Sequence, residues 1–76
     1  MYTKKDFARE LEQEIIKNFD TDRLSAWAHD KYLDHAKYLD KETYDAIMTI
    51  VFMSEEGFEI SKIDLLKLAA EWQQSI

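Results

Sequence analysis

The chain has 76 residues, enough for one hydrophobic core and too few for two. With no cysteine, no proline and a single glycine, it excludes disulfide scaffolds, cysteine-ligated zinc sites and glycine-rich phosphate loops. A hydrophobic content of 46% excludes a disordered acidic tail, and a net charge of -6 argues against nucleic acid as a direct ligand.

The first helix is predicted over residues 4–18. Thr3 stands where a side-chain oxygen can accept from an unpaired amide of the first turn, and Asp6 follows it as in a capping box. Tyr2 and Phe7 flank that cap as an apolar staple, and Phe7, Ala8, Leu11, Ile15 and Phe19 recur at helical spacing. The second helix is predicted over 21–37, capped by Asp20 and stapled by Phe19 and Leu24. Its face is Leu24, Trp27, Ala28 and Tyr32, continued by Ala36.

The third helix is predicted over 41–56, with Asp40 as cap and Leu39 against Tyr44 as staple. Its stripe is Tyr44, Ile47, Met48 and Val51, and Ala46, Ile50, Phe52 and Met53 make it apolar almost all round, as expected of an enclosed central helix. A short strand over Thr49 to Met53 is the alternative, since Thr, Ile, Val and Phe favour one, but the caps and the 3.6-residue period favour helix. Gly57 falls where this helix should stop in a left-handed residue, with Phe58 folding back on Met53. The fourth helix is predicted over 62–74, capped by Ser61 with Asp64 three residues on and Ile60 stapled to Leu65. It presents Leu65, Leu66, Ala69 and Trp72, widened by Ile63, Leu68 and Ala70. Short connections make sequential helices neighbours, antiparallel or steeply crossed. The expected architecture is a single-domain, compact, all-α four-helix bundle spanning residues 1–76.

Catalytic chemistry needs proton-exchanging or nucleophilic groups held close together. His29 and His35 lie six positions apart, about 120° around one helix, and so cannot grip a metal as an i, i+4 pair does. His35 falls toward the apolar side, where a partly buried ring with local partners is expected. Asp30 and Asp34 share a helix turn with Lys31 and Lys37 nearby, which describes a solvated charged face. The serines lack a hydrolase nucleophile's glycine-flanked setting, and Glu10 and Glu14 are expected on an exposed helix face. Lys31-Tyr-Leu-Asp34 recurs as Lys37-Tyr-Leu-Asp40, but a spacing of six is not a helical period and two copies build no solenoid. No catalytic residue, cofactor or metal ligand is assigned, and the chain is expected to be non-enzymatic. The longest nearly apolar stretch, Ala46 to Met53, is too short to span a bilayer, so no membrane partner is expected. The N-terminus lacks a signal-like apolar run and cysteine is missing, so a cytoplasmic location is expected.

The charge is uneven. Residues 1–39 carry a net charge of -1 and residues 40–76 a net charge of -5. Asp40 and Glu42 suit a helix N-terminus, whereas Glu55 and Glu56 stand near a predicted C-terminus, where the dipole disfavours them. Ser25-Ala-Trp-Ala28, Ser54-Glu-Glu-Gly57 and Leu65…Leu68…Trp72 together resemble a type of short, acidic, all-helical bacterial protein that includes the colicin D immunity proteins. That resemblance implies an acidic module that neutralises a basic toxin nuclease, and it carries over no individual residue. The expected partner is therefore a basic protein, met electrostatically by Glu42, Asp45, Glu55, Glu56 and Glu59. Leu33, Tyr38 and Phe58 are the expected apolar contacts. The alternative is a structural homodimer or assembly subunit that uses the apolar side of the third helix.

Overall fold

In a computed structural model, which describes residues 2–54 and 60–74, four side-chain caps start four α-helices, and no strand occurs among those residues. The Thr3 hydroxyl accepts from the Asp6 amide while the Asp6 carboxylate accepts from the Thr3 amide, each at 3.1 Å, and α1 runs Lys4–Lys17. The Asp20 carboxylate accepts from the amides of Asp22 and Arg23 at the start of α2, Thr21–His35. Asp40 accepts from Thr43 at the start of α3, Lys41–Val51, and Ser61 accepts from Asp64 at the start of α4, Lys62–Gln74. Each such bond satisfies an amide that has no partner within its own helix, a contribution of about 1 kcal/mol per cap.

The helix ends depart from expectation in two places. α2 gives way at His35 to a 3₁₀ turn, Ala36–Tyr38, which tightens the chain so that it can reverse at extended Leu39. Ala36 is consequently exposed instead of extending the core face. α3 stops at Val51, well short of residue 56, and passes into a 3₁₀ turn, Phe52–Ser54. The cause lies across the bundle: the Ser25 hydroxyl of α2 donates to the Val51 carbonyl, and the Ser54 hydroxyl donates to Ser25 at 3.2 Å. β-Branched Thr49, Ile50 and Val51 favour helix continuation weakly, and the tighter turn directs Met53 into the core. The Gly57 stop and the Phe58 contact lie outside the described residues.

The core takes residues from every helix: Phe7, Leu11 and Ile15 of α1, Leu24 and Ala28 of α2, Ala46, Ile47 and Ile50 of α3, Leu65 and Ala69 of α4, and Met53. Phe7 stacks on Trp27 at 5.3 Å between ring centres and meets Trp72, tilted, at 6.3 Å. The most extensive helix pairings are α1 with α4 and α2 with α3, and α1 also meets α3 and α2. α3 and α4 make no close backbone approach, so adjacency in sequence does not make these two helices neighbours. The molecule measures 28 × 24 × 22 Å, and α2, its longest helix, runs about 22 Å at about 1.5 Å per residue.

Arg23 locks the α1–α2 corner. Its guanidinium donates to the Glu14 carboxylate at 2.8 Å and to the carbonyls of Glu14 and Asn18 at 2.7 Å each. Glu10 pairs with Lys31 at 3.0 Å and accepts from the Tyr2 hydroxyl at 3.2 Å. Glu10 and Glu14 are thus partly buried links within the bundle, not members of an exposed face.

Candidate interaction surface on the third helix

Around α3, successive residues step by 100°. Thr43, Ala46, Ile47 and Ile50 fall on the buried arc, and Glu42, Asp45 and Thr49 fall on the solvent arc. The helix is therefore two-faced, not enclosed: the expected stripe is rotated by about one position, with Tyr44, Met48 and Val51 on its flank. Tyr44, Met48 and Phe52 recur every fourth residue along that flank and form an apolar ridge. Tyr44 is 43% exposed and Phe52 48%, so the ridge is open to a partner.

Two grooves border this face. One, of about 500 Å³, is lined by Asp45, Met48, Thr49, Phe52 and Ile60. The other, of about 260 Å³, is lined by Lys4, Glu42, Asp45, Ala46, Thr49 and Trp72. Asp45 and Thr49 belong to both, so the grooves adjoin along the outer side of α3. The Thr49 hydroxyl donates back to the Asp45 carbonyl at 2.8 Å. The carboxylates do not stand alone: Lys41 pairs with Asp45 at 3.1 Å, and Lys4 shares the groove with Glu42. Both partners of the Lys41 pair are well exposed, so the pair contributes little and exchanges readily for another cation. Asp40 at the head of the helix is held below the ordinary carboxylate range by the Thr43 amide, with Lys4 adding to the effect.

Tyr38, 73% exposed, lies elsewhere, on an open cleft of about 760 Å³ with Tyr2, His35, Lys37, Leu39 and Asp40. There His35 is half-buried with its ring stacked on Tyr2, at 4.0 Å and nearly parallel. Burial, and after it the neighbouring Glu10 carboxylate, pushes the Tyr2 phenol well above its ordinary value. Leu33 is 59% exposed and borders none of these grooves. The structure thus brings Glu42 and Asp45 together and sets Tyr38 and Leu33 apart from them. Glu55, Glu56, Glu59 and Phe58 lie outside the described residues.

Met48, Phe52, Ile60 and Trp72 were not singled out as surface residues by their sequence, because an apolar residue shows which way it faces only when the core is known. Their one readable signal is the four-residue recurrence of Tyr44, Met48 and Phe52. Among the described residues, no group of three or more histidines, aspartates or glutamates is placed to hold a metal ion, and no helix is long and apolar enough to cross a membrane. Compared with protein-family models, with curated proteins and with solved structures, the chain matches none.

Proposed function

We propose that this chain is a non-enzymatic protein-binding module that receives a basic protein partner on the outer face of α3. The observation that carries the reading is the pair of exposed apolar side chains Tyr44 and Phe52, with half-buried Met48 between them, beside the carboxylates of Glu42 and Asp45. Apolar side chains exposed in a row offer desolvation energy to a partner, and flanking carboxylates steer a cationic surface toward it. The net charge of -5 over residues 40–76 extends the same field, with Glu55, Glu56 and Glu59 contributing through sequence alone. The resemblance to acidic immunity proteins points in the same direction, toward the basic surface of a nuclease in the cytoplasm.

The test is affinity capture with the wild-type chain and with a Glu42→Lys, Asp45→Lys double variant, each checked for helicity by circular dichroism. A basic protein should be captured by the wild type, released by added salt and lost from the variant. A captured partner that binds the variant equally well would remove the acidic face from the reading. The alternative, a homodimer, also draws on the exposed ridge. Sedimentation across a concentration series separates the two, since a module for another protein stays monomeric.

A further inference from the structure

The sequence Lys37-Tyr38-Leu39-Asp40 repeats Lys31-Tyr32-Leu33-Asp34, but the two copies fold differently. The first lies within α2, where Lys31 pairs with Glu10. The second covers the end of the 3₁₀ turn and the reversal into α3, and all four of its residues line the open cleft of about 760 Å³. His35 and Tyr2 complete that lining. Side chains three apart eclipse in a 3₁₀ turn, which places exposed Tyr38 on the same side as His35. Tyr2 stacks on His35 and is held from its far end, where its hydroxyl donates to Glu10.

Two charges of opposite sign stand on this aromatic lining. Among the described residues, neither Lys37 nor Asp40 belongs to an ion pair. The Asp40 carboxylate accepts from the Thr43 amide at 2.8 Å, which fixes its place and keeps it charged, and Lys4 stands near it without pairing. We infer that the cleft binds a free aromatic amino acid, with its ring against Tyr38 and the Tyr2–His35 stack, its carboxylate on Lys37 and its ammonium on Asp40. A simple anion would be repelled by Asp40 and a simple cation by Lys37, whereas a zwitterion satisfies both. The side chain of an aromatic residue within a protein carries neither charge, so a partner's aromatic contact leaves both unanswered. The volume is that of a small-molecule site, and rings with Leu39 beside a few polar groups are its usual lining. The cleft shares no lining residue with the grooves on α3, so the inference stands apart from the protein-binding function proposed above.

The probe is L-tryptophan, titrated into the isotope-labelled chain while amide chemical shifts report the site and give Kd. Saturable shifts should centre on His35, Tyr38, Leu39 and Asp40, with a Kd of about 1 mM or lower. Three controls each remove one group: L-tryptophanamide the carboxylate, N-acetyl-L-tryptophan the ammonium and L-alanine the ring. Each should bind at least about tenfold more weakly. Lys37→Gln should weaken L-tryptophan by about tenfold without weakening the amide further. Asp40→Asn, which keeps a helix cap, should weaken L-tryptophan by about as much without weakening the N-acetyl derivative further. Both positions are exposed, so the fold tolerates the changes, and circular dichroism of each variant checks that it does. Absence of saturation by about 10 mM, equal binding by either derivative, or unchanged affinity in both variants would overturn the inference. So would shifts centred on Asp45 or Phe52. Equal binding by L-alanine would show that the rings play no part, and the aromatic class would fall with it.

Discussion

Arg23 shows how one side chain fixes a corner that its helices leave open. At the end of α1 the Glu14 carbonyl accepts from the Asn18 amide, and the Arg23 fork adds a donor to it and one to the Asn18 carbonyl while pairing with the Glu14 carboxylate. Arg23→Met keeps the stem and removes all three bonds. It should cost about 2 kcal/mol, read as a lower urea midpoint. Arg23→Lys should recover little, because a single ammonium cannot reproduce the planar fork. The same bonds set the response to acid. Glu14 is lowered from its ordinary 4.5, first by its bond from Arg23, and Asp6 and Asp40 from 3.8, each first by a backbone amide of its capping interaction. A carboxylate held low in the folded state contributes stability that is complete above its unfolded value and is lost as pH falls through its folded one. Stability should therefore stay level from neutrality down to about pH 5 and decline below about pH 4. Asp40→Asn keeps a cap but has no proton to gain, so its acid decline should be shallower than the wild type's.

At the scale of elements, the beginnings of the helices are local events and their ends are not. Thr3, Asp20, Asp40 and Ser61 cap amides two or three residues away, and such contacts are legible in a sequence because they depend on nothing distant. The end of α3 depends instead on Ser25, 26 positions away, whose hydroxyl takes the Val51 carbonyl. No local pattern announces that bond, so the periodicity alone predicts a helix that continues to residue 56. The buried arc of α3 departs from the predicted stripe for a related reason: Thr43 counts as polar in a pattern, yet it is fully buried in line with Ile47 and Ile50. Of the candidate surface, Glu42 and Asp45 were legible as charge, whereas the exposure of Phe52 depends on how the chain turns after Val51. Ser25→Ala should leave the α-helices intact and lower stability by about 1 kcal/mol. Amide exchange at Phe52, Met53 and Ser54 should quicken more than in the rest of the chain. Uniform quickening would show that the bond supports the whole fold and not this turn.

At the scale of the molecule, α1 is the joint, since it packs against each of the other three helices. Phe7 concentrates that role: its ring is fully buried, stacked on Trp27 of α2 and tilted against Trp72 of α4. Without cysteine the chain has no disulfide staple, so the bundle leans on such contacts for its cohesion. A chain of this size has a total stability of roughly 4–11 kcal/mol at the usual share per residue. Truncating a buried phenylalanine to alanine costs about 3–5 kcal/mol, much or all of that reserve. Phe7→Ala should therefore lose the near-ultraviolet dichroism of its packed tryptophans and its cooperative thermal transition while keeping substantial helix. Phe7→Leu, which refills most of the space without the ring contacts, should retain a transition at lower temperature. Leu33→Ala, at an exposed position on α2, should move the midpoint little, within about 0.5 kcal/mol. A cooperative Phe7→Ala protein with native tryptophan dichroism would mean that the α1–α4 and α2–α3 pairs hold together without the aromatic contact at their junction.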